Sequence, residues 1–215
     1  MQVAHEAGEL DAPVLVVAPT SVLGTWAAEA ARFTPDLTVA VVPGTRATRR
    51  GELADFVAGA QIVVTSYTLL RLEAEAYQDL DWSMVLLDEA QFVKNHASKA
   101  NQAVRALRAP VRIALTGTPL ENNLMELWAL LAITAPGLFP EQRAFTTRFR
   151  RPIESGDTAA LESLHRKIRP LILRRTKADV AAELPDKIEQ VIPVELAPAH
   201  RKPYDRFLAR ERQKV

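Results

Sequence analysis

Short runs of consecutive apolar residues recur along the chain, and most end at a polar or turn-forming residue. Val14-Leu15-Val16-Val17-Ala18 stops at Pro19, Leu37 to Val42 stops at Pro43-Gly44, and Gln61-Ile62-Val63-Val64-Thr65-Ser66, Met84 to Leu87 and Val111 to Leu115 follow. Runs of this length without alternation are the pattern of strands buried on both faces. Between them the spacing predicts helices. One is capped by Thr20 or Ser21 and runs through Trp26 to Phe33; others span Arg46 to Ala58, Tyr67 to Tyr77, Ser98 to Leu107 and Glu121 to Ile133. Residues 1–10 read as the end of a helix closed near Gly8. Strands alternating with helices imply βαβ units and a parallel sheet covered on both sides. After Pro136 the pattern turns helical and basic, with a break at Glu154-Ser155-Gly156-Asp157 and strand-like runs only at Leu171-Ile172-Leu173 and Gln190 to Val194.

Composition narrows the chemistry. The chain has no cysteine, which removes disulfides, thiolate metal sites and a thiol nucleophile, and fits a cytosolic protein. His5, His96, His165 and His200 lack metal-ligand spacing. No apolar run approaches the roughly 20 residues a membrane helix needs, and the first residues lack a secretory-signal pattern. The net charge of +1 conceals an asymmetry: residues 142–215 carry 17 Lys/Arg against 10 Asp/Glu, and the remainder is acidic. A basic second half suits an anionic partner such as nucleic acid, or simply a solvated helical surface.

The strongest chemical signal is Val85-Leu86-Leu87-Asp88-Glu89-Ala90-Gln91, an apolar run that ends in two adjacent carboxylates. The carboxyl edge of an open α/β sheet is where ligands bind. There the pair suits a nucleotide-bound Mg²⁺, one carboxylate holding the ion and the next orienting a water. The plainer reading is acids at a strand end or helix cap. Leu115-Thr116-Gly117-Thr118-Pro119 repeats the design as a hydroxyl-rich turn on another strand. It is either an ordinary helix entry or a loop that senses the phosphate. Ala18-Pro19-Thr20-Ser21 and Thr65-Ser66-Tyr67 put further hydroxyls at strand ends, where they either cap helices or follow a phosphate backbone. Trp26 and Trp128 read as core aromatics on amphipathic helices. A metal-dependent nuclease built on Asp88 and Glu89 is disfavoured, because two-metal sites usually draw on more carboxylates than this pair.

In combination these motifs are specific. Asp88-Glu89-Ala90-Gln91 with Lys94-Asn95, then Leu115 to Asn123 with Glu126 to Leu131, closely resembles the Swi/Snf-type DNA-dependent ATPases of helicase superfamily two. Leu173-Arg174-Arg175-Thr176-Lys177 with Asp179-Val180, Glu183-Leu184-Pro185 and Lys187 is similar to the segment that joins the two motor lobes of that family. Pro13 to Trp26 and Val63 to Leu70 resemble its DNA-facing motifs.

The resemblance implies a RecA-like parallel sheet of the P-loop NTPase type, an incomplete first lobe over residues 1–140, and a helical, basic lobe-joining segment over 141–215. It implies ATP hydrolysis with Mg²⁺ coupled to tracking along double-stranded DNA, with DNA-bound proteins as further partners, in the cytosol or nucleoid of a bacterium or the nucleus of a eukaryote. Asp88 and Glu89 would hold Mg²⁺, the former directly and the latter through the attacking water, and Gln91 would sit near the γ-phosphate. Thr116, Gly117 and Thr118 would couple nucleotide state to DNA. Pro19, Thr20, Ser21, Ser66, Tyr67, Lys94 and Asn95 would lie along the DNA, and Arg174, Arg175 and Lys177 in the basic joining segment.

One departure matters. The family's phosphate loop ends in Gly-Lys-Thr or Gly-Lys-Ser, and this sequence has no Gly-Lys pair. The chain therefore reads as an interior part of a longer motor, inactive in isolation. The alternative is a non-hydrolysing lobe that binds DNA or protein.

Overall fold

The computed structural model of the chain describes residues 1–117, 123–175, 190, 192 and 196–212. Five parallel strands form one sheet: β1 (Val14–Ala18), β2 (Val39–Val41), β3 (Ile62–Ser66), β4 (Met84–Leu87) and β5 (Val111–Ala114), in the order β2-β3-β1-β4-β5. The central strand β1 is fully buried, as its unbroken aliphatic sequence requires. It pairs Val14 with both Ile62 and Met84, and Val17 with both Thr65 and Leu87. Successive side chains point to opposite faces. Leu15, Val17, Val63, Val85 and Leu87 join Tyr77, Trp82, Val104, Leu130 and Ile133 in one core cluster. Val14, Val16, Ile62, Val64 and Leu86 form a second with Leu37.

The connecting helices are α1 (Gln2–Glu6), α2 (Leu23–Phe33), α3 (Arg46–Arg49), α4 (Leu53–Val57), α5 (Tyr67–Leu72), α6 (Ala74–Gln78), α7 (Lys99–Ala106) and α8 (Leu124–Thr134). Helices α9 (Gln142–Phe145), α10 (Arg151–Glu154) and α11 (Thr158–Ile168) follow, with a π turn over Thr146–Arg150 joining α9 to α10. Phe145, Phe149, Leu164 and Ile168 pack with Leu127, Trp128 and Leu131 in a third cluster, so the first compact unit runs from Met1 to Ile168. The expected break falls at Ser155–Asp157, where Gly156 has a positive φ of 90°.

The second unit begins at Arg169. Leu171-Ile172-Leu173 is not a strand: Arg169–Leu171 is a 3₁₀ turn, the next residues are irregular, and all three apolar side chains are exposed. None of the described strands pairs with it, so among the described residues the apolar triplet has no ladder to join. The strand expected over Gln190 to Val194 falls mostly outside the described residues. Helix α12 (Pro198–Arg212) completes this unit. No helix among the described residues is long and apolar enough to cross a membrane.

Two helices expected to be continuous are each broken, and one ion pair sits at both breaks. Arg46 to Ala58 divides after α3, where Arg50 takes a left-handed conformation (φ 59°). Tyr67 to Tyr77 divides at Glu73. The Arg49 guanidinium, 1% exposed, donates to the Glu73 carboxylate at 2.7 Å and to the Gly44 carbonyl at 2.6 Å. Glu73 also accepts from the Arg46 amide. Helix periodicity is a local signal, and a partner 24 residues away overrides it. Removing one member of such a pair leaves a buried charge, which costs about 3–5 kcal/mol, whereas replacing both with apolar residues is often neutral. Glu73→Ala is therefore expected to lower unfolding free energy by about 3 kcal/mol or more, and Arg49→Met with Glu73→Leu to recover most of it, as measured by urea unfolding.

Candidate nucleotide site at the carboxyl edge of the sheet

Because the strands are parallel and in register, Ala18, Ser66, Leu87 and Ala114 end along one edge. The ladder continues briefly beyond them. The Asp88 amide donates to the Val17 carbonyl at 2.8 Å, and the Leu115 amide donates to the Leu87 carbonyl at 2.8 Å. The Ala90 amide then donates to the Leu115 carbonyl at 2.8 Å, fixing the turn after β4 against the turn after β5.

Glu89 makes that turn. Its backbone is left-handed (φ 50°, ψ 55°), a conformation that costs a non-glycine residue roughly 1–2 kcal/mol. Strain of this kind gathers at functional sites. It ends the strand abruptly and starts a 3₁₀ turn over Ala90–Val93, whose Ala90 and Val93 are buried. The turn is held from behind by fully buried Asn101, whose Nδ2 donates to the Val93 carbonyl at 2.7 Å.

The acid pair sits in a network of directed hydrogen bonds. Asp88 Oδ2 accepts from the Trp26 indole Nε1 at 2.8 Å, and Oδ1 accepts from the Glu89 amide at 3.0 Å. Tyr67 Oη donates to the Asp88 carbonyl at 2.8 Å, and its ring stacks on Phe92 with centroids 5.3 Å apart. Gln91 Nε2 donates to Glu89 Oε2 at 2.8 Å, and Thr116 Oγ1 donates to Gln91 Oε1 at 3.0 Å. Gln91 thus uses both ends of its amide to connect the carboxylate after β4 to the hydroxyl after β5.

The other sequence-predicted residues divide by exposure. Pro19 is half-buried and Thr20 and Ser21 are exposed, in a 3₁₀ turn over Thr20–Val22 that precedes α2. Neither hydroxyl caps the helix as expected, because that extra turn separates them from its start. Ser66 and Tyr67 are buried, and Ser66 Oγ caps α5 by accepting from the Leu69 amide at 3.2 Å. Lys94 and Asn95 are exposed just beyond the 3₁₀ turn. Lys94 pairs with Glu126 at 3.1 Å, and Asn95 Oδ1 accepts from the Ala97 amide. Thr116 and Gly117 are exposed on the edge; Thr118 and Lys177 lie outside the described residues. Arg174 and Arg175 are exposed within the second unit.

Trp128 is buried as expected, its indole donating to the Phe139 carbonyl. Trp26 is only half-buried, with its polar end on Asp88, so it belongs to the site as well as to the second core cluster. Asn101 gave no sequence signal beyond its place near a helix start. Asp88 and Glu89 are the acids here, and no group of three or more metal-ligating side chains occurs among the described residues.

A model of the SNF2-related domain family matches residues 1–215. The helicase/translocase-type protein YwqA of Bacillus subtilis is 40% identical over 188 residues, covering 86% of this chain and 20% of its own length. The TATA-binding protein-associated factor mot1 of Schizosaccharomyces pombe is 34% identical over 209 residues, covering 92% of this chain and 11% of its own. The Sulfolobus solfataricus SWI2/SNF2 ATPase core solved in complex with double-stranded DNA is 38% identical with a TM-score of 0.74, covering 94% of this chain and 42% of that one. The chain thus spans about a fifth or less of these curated relatives' length, and under half of the solved core.

Burial raises the Tyr67 phenol well above its usual range, and the nearby Asp88 and Glu89 carboxylates add to the shift. A raised folded-state value favours the protonated phenol, so the stabilisation is complete below pH about 10 and is lost as pH rises above it. Burial likewise pushes Tyr77 up to about 12. Tyr67→Phe is expected to cost about 1 kcal/mol at pH 8 through the lost hydrogen bond. The gap from wild type should narrow by pH 11, as read from urea midpoints across that range.

Proposed function

The chain belongs to the SNF2-related domain family, and on that premise we propose that it is the ATP-binding side of the first motor lobe of an ATP-dependent translocase on double-stranded DNA. In this reading residues 1–140 contribute the lobe and residues 141–215 lead toward a second lobe. The observation that carries the proposal is the Asp88–Glu89 pair at the sheet edge, tied through Gln91 to Thr116 on the neighbouring loop.

The donor set fits Mg²⁺ bound together with nucleotide. A carboxylate offers about four lone-pair sites. Asp88 has given one on each oxygen to Trp26 and to the Glu89 amide, so each oxygen retains capacity. Two hard oxygen donors do not make a protein cage, but Mg²⁺ keeps waters and phosphate oxygens in its shell and needs only one or two carboxylates. Bound there, the ion would neutralise charge building on the phosphate oxygens. Glu89 then orients the attacking water and accepts its proton, and Gln91, anchored to both Glu89 and Thr116, reports the γ-phosphate to the edge of β5. Thr116, Gly117 and Thr118 pass that state to DNA. Pro19, Thr20, Ser21, Lys94 and Asn95 form the DNA-facing rim, with Ser66 and Tyr67 shaping it from within.

These 215 residues contain no Gly-Lys pair to end a phosphate loop, and the sheet has an edge suited to a further strand. β5 pairs with β4 alone among the described strands, and its Val111 and Ile113, with adjoining Leu115, are 43%, 39% and 43% exposed. A further parallel strand added at β5 would cover this apolar strip and set its own carboxyl end beside Thr116. Without it the 215 residues alone do not turn over ATP.

Glu89→Gln, in the longer protein that contains this chain, is the direct test. It is expected to cut DNA-stimulated ATP turnover by about 10²–10⁴-fold while ATP binding persists. Unchanged turnover would reject the assignment. If duplex DNA were then bound salt-sensitively and without nucleotide, the non-hydrolysing module would be the better description.

A further inference from the structure

We infer that Trp26 is a positioning residue for the Asp88 carboxylate, orienting it for Mg²⁺ through the indole N–H. The inference rests on the nucleotide-site reading above. The three tryptophans differ in what their indole N–H groups bond. The Trp82 indole donates to the Tyr77 carbonyl and the Trp128 indole to the Phe139 carbonyl, both at 2.9 Å; each satisfies a buried N–H on a nearby main chain. Trp26 instead donates to a carboxylate 62 residues away in sequence, at 2.8 Å.

A tryptophan that served only as core would behave like the other two, because a main-chain carbonyl satisfies the indole without drawing on a charged group. The Trp26 ring does pack against the cluster of Val14, Val16 and Val64, and this fixes where its N–H can reach. A rigid ring anchored in that core therefore sets the rotation of the Asp88 side chain. The Glu89 amide at Oδ1 supplies the second point of attachment. Two donors, one per oxygen, fix the carboxylate plane while leaving a lone-pair site on each oxygen for the ion. Hydrogen bonds of this kind to metal-binding side chains commonly change metal affinity by about 10–100-fold.

The geometry also gives α2 a role. Trp26 lies in its first turn, close after the Thr20–Val22 turn, whose Thr20 and Ser21 are exposed while Val22 packs on the same cluster as Trp26. A shift of that turn moves the indole, and with it the Asp88 carboxylate.

The test is the Mg²⁺ concentration giving half-maximal binding of a fluorescent ATP analogue to the longer protein, with thermal melting alongside. Trp26→Phe, which keeps an aromatic ring but removes the N–H, is expected to raise that midpoint about 10-fold or more. Replacing Trp26 by benzothienylalanine, a near-isostere without the N–H, should do the same with no change in melting temperature, and it serves if the Phe variant folds poorly. Trp82→Phe should lower the melting temperature and leave the Mg²⁺ midpoint unchanged. A wild-type midpoint for the benzothienylalanine protein would overturn the inference and return Trp26 to the core. Asp88→Ala separates the two levels: if it too leaves Mg²⁺-dependent binding intact, the nucleotide-site reading itself has failed.

Discussion

Strand β1 pairs in register with a parallel strand on each side, and the candidate site depends on that pairing. Its five residues are completely buried, so they can carry no polar function of their own. What they do is align the ends of their neighbours. With Val17 opposite both Thr65 and Leu87, the chain leaves the sheet at Pro19, Tyr67 and Asp88 along one line. A slip of one residue in β4 would exchange its two faces and move Asp88 off that line. Burial of apolar side chains thus fixes the position of the charged groups that follow them in the chain.

At that edge the polar groups are held by bonds that cross between elements. Asp88 takes hydrogen bonds from α2 and from its own turn, and its main-chain carbonyl takes one from Tyr67 at the start of α5. Glu89 is connected to the end of β5 through Gln91 and Thr116. The left-handed backbone at Glu89 is an unfavourable conformation that the surrounding contacts enforce, with Asn101 bracing the turn from the core side. Preorganisation of this kind is what the proposed role, positioning a water and an ion, would require.

The strands and the acid pair were legible in the sequence because both are local signals. An unbroken run such as Val14 to Ala18 has few alternatives to a buried strand, and Asp88-Glu89 after Val85 to Leu87 marks where that strand ends. The helix breaks at Arg50 and Glu73 were not legible, since they follow from an ion pair between residues 24 apart. Leu171-Ile172-Leu173 shows the converse: its composition is strand-like, but none of the described strands pairs with it. Trp26 read as core because apolar periodicity reports where a ring sits and not where its N–H points. Resemblance places Gln91 on the phosphate side, but its bond to Thr116 depends on the pairing of β4 with β5, which only the fold supplies.

Iron-directed cleavage locates a divalent ion and a nucleotide that meet at this edge. Fe²⁺ replaces Mg²⁺ in the longer protein, peroxide generates radicals at the bound ion, and the cut positions are read by mass spectrometry. If the ion sits on Asp88, nucleotide-dependent cuts cluster around Leu87 to Gln91 with weaker cuts near Thr116. Cuts that ignore nucleotide, or that fall away from these residues, would place the ion elsewhere and remove the nucleotide site from this edge.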